Sequence, residues 1–103
     1  MSLDLESLYA EYNKKYFGGQ LPKIPVRWGK VDEGHAAEFL HHPLEIVVHP
    51  TIKRCGLDKY SKILLLHEMA HVKLRDRKIK DHGRVWVNEM KRLARIGAFD
   101  ELW

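Results

Sequence analysis

The chain has 103 residues, a formal net charge of +4, and 45% apolar and 31% charged residues. That balance suits one hydrophobic core and excludes both a two-core protein and an intrinsically disordered chain. A single cysteine, Cys55, excludes an internal disulfide and a four-cysteine zinc ribbon, so any metal would have to be held by histidines and carboxylates.

From the N-terminus, Met1-Ser2-Leu3-Asp4-Leu5-Glu6 is acidic where a signal peptide would be basic and then apolar. The longest apolar run, Ile63 to Leu66, is far short of the roughly 20 residues that cross a bilayer. A cytoplasmic protein with no membrane partner, forming a single domain over 1–103, is the expectation.

Leu5, Leu8, Tyr9, Tyr12 and Tyr16 recur at three- and four-residue spacing, which predicts a first helix with a core-facing stripe, ending before Gly18-Gly19. Val26-Arg27-Trp28, closed by Gly29, reads as a short strand, and Ala37 to His41 as a second. Leu44 to His49, bracketed by Pro43 and Pro50, is the clearest strand: Leu44, Ile46 and Val48 should share one face, and Glu45, Val47 and His49 the other.

Asp58 is placed to cap a second long helix from about Lys59 to Arg75, with Tyr60, Ile63, Leu64, His67 and His71 along its buried side. Asp76 to Asp81 has no periodicity and reads as a loop. A third helix should start near Asp81 or His82 and carry Val85, Trp86, Met90 and Leu93 inward until Gly97. The order gives an α+β fold: a small antiparallel or mixed sheet of about three strands packed with three helices.

The chemistry concentrates in His67-Glu68-Met69-Ala70-His71, an HExxH pattern inside the second helix. Histidines four apart lie one above the other and can direct a ring nitrogen to one ion, and Glu68, about 100 degrees round the helix, stands beside that ion as a proton acceptor. The alternative is a pair of core histidines satisfied by hydrogen bonds.

A catalytic zinc takes three protein ligands and leaves a position for water, so a third donor is required. His82 is the candidate, because helix and loop together let the chain fold back from His71, and Gly83 permits close backbone approach. The eleven-residue step from His71 to His82 excludes the metzincin spacing. Glu89, as a thermolysin-like third ligand, ranks below His82. In such a site zinc makes its water acidic, Glu68 takes the proton, and the attacked carbonyl is polarised by the ion.

Lys73, Arg75, Arg77, Lys78, Lys80, Arg84, Lys91, Arg92 and Arg95 stand against only three acidic residues in the same segment, a cluster that could meet nucleic acid or an acidic partner, or could simply be a solvated face.

The run Leu8-Tyr9-Ala10-Glu11-Tyr12-Asn13-Lys14-Lys15-Tyr16-Phe17-Gly18-Gly19-Gln20-Leu21-Pro22, then Val26-Arg27-Trp28, resembles the N-terminal signature of the SprT-like metallopeptidase family. His67 to His71 and Asp81-His82-Gly83-Arg84-Val85-Trp86 resemble its HExxH helix and its downstream His-Gly-x-x-aromatic element. The resemblance implies a minimal zincin-like core with one zinc ion held by His67, His71 and His82, Glu68 as catalytic base, and a protein or peptide substrate. Eukaryotic members digest proteins crosslinked to DNA, which would give the basic segment a role in DNA contact. The chain departs from many members in having no cysteine-based zinc ribbon. The rival reading is a module that keeps a structural metal and binds nucleic acid or a partner without cutting; the carboxylate beside the histidines favours the enzyme.

Overall fold

The computed structural model describes residues 4–31, 36–41, 44–50, 58–75 and 83–100, with backbone alone at His41 and Asp58. Helix α1 (Leu5–Tyr16) is followed by strands β1 (Val26–Trp28), β2 (Ala37–His41) and β3 (Leu44–Val48), then helices α2 (Asp58–Lys73) and α3 (Arg84–Arg95). Among the described residues the arrangement is α+β, with three helices and a three-stranded mixed sheet.

Asp4 caps α1: its carboxylate accepts from the Ser7 N–H at 3.2 Å and the Ser7 hydroxyl at 2.7 Å, satisfying a donor that the helix start would otherwise leave open. Leu5, Leu8, Tyr9 and Tyr12 bury the expected stripe. The helix stops where Gly18 and Gly19 take φ of 62° and 72°, a left-handed backbone that side chains resist. Asn13 then fastens the returning chain: its side chain donates to the Leu21 carbonyl (2.9 Å) and accepts from the Leu21 N–H (3.0 Å). Tyr9 adds a hydrogen bond from its hydroxyl to the Pro22 carbonyl at 2.6 Å.

The sheet order is β1-β3-β2. β1 runs parallel to β3, Val26 opposite Ile46, and β2 runs antiparallel to it, Phe39 opposite Ile46. The central position of β3 alters the expected alternation. Ile46 and Val48 join the main core, as their period-2 spacing requires, but Val47 on the other face is also buried, at 1% exposure. On that face its strand neighbours are Glu38 of β2 and Arg27 of β1, the latter hydrogen-bonded to Glu45 at 3.2 Å through both Nε and Nη2. Gly29 makes room for that side chain, since a Cβ there would collide with the Arg27 guanidinium and press on Val47.

Helix α2 takes in Asp58 as its first residue, where a cap was expected. Its buried row also differs from the expected one. Leu65, Leu66, Met69, Ala70 and Val72 have no exposure, whereas Tyr60 is 44% exposed and Ile63, Leu64, His67 and His71 are half-buried. The helix is apolar around most of its circumference, so the core takes the strip that faces α1, the sheet and Leu93. The histidine row becomes a flank.

Helix α3 begins at Arg84, later than expected, because Gly83 is extended (φ −76°, ψ −169°) and acts as the cap. Its end matches the expectation. Gly97 adopts φ 87°, and the Ala98 and Gly97 N–H groups donate to the carbonyls of Leu93 (2.9 Å) and Ala94 (3.2 Å), a Schellman closure in which buried Ala98 and Leu93 supply the apolar contact. The loop expected over Asp76 to Asp81 lies outside the described residues.

Candidate metal centre

His67 and His71 project from successive turns of α2, with ring centres 5.2 Å apart and ring planes inclined by 53°. Two imidazoles on one tetrahedral zinc, at Zn–N of about 2.0–2.1 Å, have ring centres roughly 5 Å apart, so the pair suits a shared ion. Glu68 lies beside them and is buried, at 6% exposure. Its Oε2 is 3.9 Å from His67 Nε2, near enough to exchange a proton with a small molecule held at the imidazoles.

Trp86 of α3 forms a wall against both rings. Its ring centre is 5.6 Å from that of His71, nearly parallel at 21°, and 4.7 Å from that of His67, inclined at 55°. The expected inward placement of Trp86 therefore holds, and the tryptophan meets the histidines themselves. An apolar wall of this kind lowers the local dielectric and limits water beside the two imidazoles.

His82, the third donor assigned from the sequence, lies outside the described residues, as do His35, His42, Arg77, Lys78 and Lys80. Among the described residues no group of three His, Cys, Asp or Glu side chains is arranged to hold a metal. His49, one residue past β3, is half-buried, and its backbone N–H donates to the Ala36 carbonyl at 2.8 Å.

Glu89, the lower-ranked alternative ligand, is occupied otherwise. At 6% exposure its carboxylate accepts from Lys73 Nζ (2.8 Å) and Arg92 Nε (2.9 Å) on Oε1, and from Arg92 Nη2 (2.6 Å) on Oε2. Burial pushes this carboxyl upward, but the hydrogen bonds and charges of Arg92 and Lys73 outweigh it and hold the group below the ordinary carboxylate range. Arg92 is raised in turn by its bonds to Glu89, and its guanidinium sits 5.4 Å over the Phe17 ring.

This cluster is the feature that sequence reasoning missed. The available signal was the position of Glu89, three residues after Trp86 and four before Leu93, on the inward face of α3. Beside it an open pocket of about 250 Å³ is lined by Tyr16, Phe17, Lys73 and Arg92 among others. There the C-terminal ends of α1, α2 and α3 come together, where cations complement the helix dipoles.

The nine basic residues thus divide. Lys73 and Arg92 are turned to Glu89, Arg75 donates from Nη1 to the Val72 carbonyl at 2.8 Å, and Arg84, Lys91 and Arg95 are exposed along one stripe of α3. No described helix is long and apolar enough to cross a membrane.

Residues 5–100 match the sequence model of the SprT-like family. The chain belongs to the SprT-like family. The match takes in every described helix and strand, the HExxH helix of this SprT-like chain and the aromatic wall opposite it. A comparison with curated protein sequences finds no significant relative.

Proposed function

We propose that this SprT-like chain is a zinc-dependent endopeptidase, with His67, His71 and His82 as ligands and Glu68 as the proton carrier. The observation that supports it best is the pairing of two imidazoles, 5.2 Å apart on one helix flank, with a buried carboxylate 3.9 Å from the first. A structural metal site has no use for that carboxylate. When bound, zinc supplies Lewis acidity, polarising a peptide carbonyl and making a water more acidic.

The protein's own groups do the rest. Glu68 accepts the proton of the attacking water at a carboxylate oxygen and delivers it to the departing amine nitrogen. Its burial keeps bulk water from competing for that proton. Trp86 holds the two imidazole planes in place and closes one side of the site.

A second element of the proposal concerns nucleic acid. Arg84, Lys91 and Arg95 recur along one exposed stripe of α3, with Asn88 between them, and such a stripe suits a phosphate backbone. Substrates associated with DNA would then be brought to the site by the catalytic domain's own surface.

The test is hydrolysis of an unfolded protein substrate, with and without single-stranded DNA, by zinc-loaded wild type and Glu68→Gln. Cleavage by wild type alone supports the peptidase. Equal cleavage by both, or none by either while zinc is bound, contradicts it. Stimulation by DNA that fades with salt and with Arg84→Ala/Lys91→Ala supports the nucleic-acid contact.

A further inference from the structure

We infer that Glu89 and Lys73 together form a positioning bridge that seats Trp86 on the two imidazoles and thereby sets the metal affinity of the site. The inference rests on the metal-centre reading above and names what regulates its geometry.

The covalent placement is the first part of the case. Lys73 is two residues beyond His71 in the last turn of α2, and Glu89 is three residues beyond Trp86 on α3. The 2.8 Å contact from Lys73 Nζ to Glu89 Oε1 therefore ties the turn carrying His71 to the turn carrying Trp86. Arg92 holds the same carboxylate from below through two contacts, at 2.9 Å and 2.6 Å, and is itself stacked over Phe17 at the end of α1. The carboxylate is thus fixed from three donors and cannot turn without releasing one.

The second part is energetic. The Lys73–Glu89 pair is a poor device for stability, since the Lys73 side chain is 38% exposed. It does restrain register: the Glu89 side chain is 6% exposed, and a shifted helix would take one of three hydrogen bonds from that buried carboxylate. Leu93 and Met90 hold α3 to the core through apolar contact, and the bridge adds a directional restraint on its position. That position puts the Trp86 ring nearly parallel to His71, at 21°, and in contact with His67. Histidine χ2 is a broad torsion, and the wall narrows the orientations open to each imidazole. Outer contacts of this kind change metal affinity by about 10- to 100-fold.

Charge alone offers a rival explanation, and Lys73→Met separates the two. Removing a cation near the site would tighten zinc binding if electrostatics ruled, whereas loss of the bridge weakens it. Glu89 stays paired with Arg92 in that variant, so the fold is retained.

The experiment is competitive zinc titration of wild type, Lys73→Met, Glu89→Gln and the Lys73→Met/Glu89→Gln double variant. It is paired with NMR of the metal-free proteins, reading the ring-current shifts that Trp86 imposes on the His71 and His67 imidazole protons. We expect zinc binding about tenfold weaker in Lys73→Met and in Glu89→Gln, no recovery in the charge-restored double variant, and collapse of the ring-current shifts in all three.

Unchanged or tighter zinc binding in Lys73→Met, or recovery in the double variant, overturns the inference. So do wild-type ring-current shifts in the folded variants. Failure of wild type to bind zinc would instead refute the metal-centre reading, and the metal-free NMR would still decide whether the bridge seats the tryptophan.

Discussion

Helix α2 meets the shared core with Leu65, Leu66, Met69, Ala70 and Val72, none of them exposed, whereas another flank carries His67 and His71 against Trp86 of α3, and Lys73 in its last turn reaches Glu89. The first contact excludes water and has no directional requirement. The second is built from rings and charges whose value depends on orientation. The difference separates two jobs along one helix: the apolar strip makes the fold, and the histidine flank carries the candidate site. A substitution on either side should therefore fail in its own way.

The largest effect is expected on the flank. Glu68→Gln should lower peptide hydrolysis by about 10²- to 10⁴-fold while zinc binding and the melting temperature stay near wild type, as read by single-turnover kinetics beside a zinc titration. On the core strip, Leu66→Ala should cost about 2–5 kcal/mol by chemical denaturation, with zinc still bound by the fraction that remains folded. A Leu66→Ala protein of wild-type stability would erase the contrast. Between the two in kind is Asn13→Ala, which strands the Leu21 N–H and carbonyl and should cost about 1–3 kcal/mol without touching the imidazoles.

Much of this contrast was legible in the sequence. The tyrosine stripe of α1, the three strands and the HExxH spacing follow from periodicities of 3.6 and 2, which report burial on one face. The same rule fails for α2, because a helix apolar on most sides gives no single stripe, and its spacing points to the histidine row as readily as to the true core row. It also missed the burial of Val47. Beside it the Arg27 guanidinium, from the residue opposite in β1, lies across Gly29, a tertiary arrangement with no local signature. The Glu89 cluster was hidden for a related reason: a carboxylate on an inward face looks like an exception until its two cations, one from another helix, are brought to it.

Two sets of ionisable groups make stability depend on pH with opposite signs. Burial pushes the Tyr9 and Tyr12 hydroxyls from the usual value of 10.0 up to about 12. Their folded state thus favours the neutral form. The associated stability is complete below pH 10 and is lost as pH rises toward about 12, so unfolding should begin in that window and move higher in Tyr12→Phe.

Glu89 has the opposite sign. Its folded value is depressed, so its contribution is present above the ordinary carboxylate value of 4.5 and is lost as pH falls through the depressed one. Acid titration of wild type against Glu89→Gln, followed by circular dichroism, should show a smaller acid-side loss in the variant. The smallest effect belongs to Arg27→Ala, whose ion pair with Glu45 is half exposed on the arginine side; its melting temperature should stay within about a degree or two of wild type.

The most direct measurement is zinc titration of metal-free wild type, His67→Ala, His71→Ala, His82→Ala and Glu68→Gln, each checked for folding. Wild type and Glu68→Gln should take up about one equivalent, His67→Ala and His71→Ala none, and His82→Ala should bind far more weakly. Zinc uptake that survives the loss of both His67 and His71 would contradict the account.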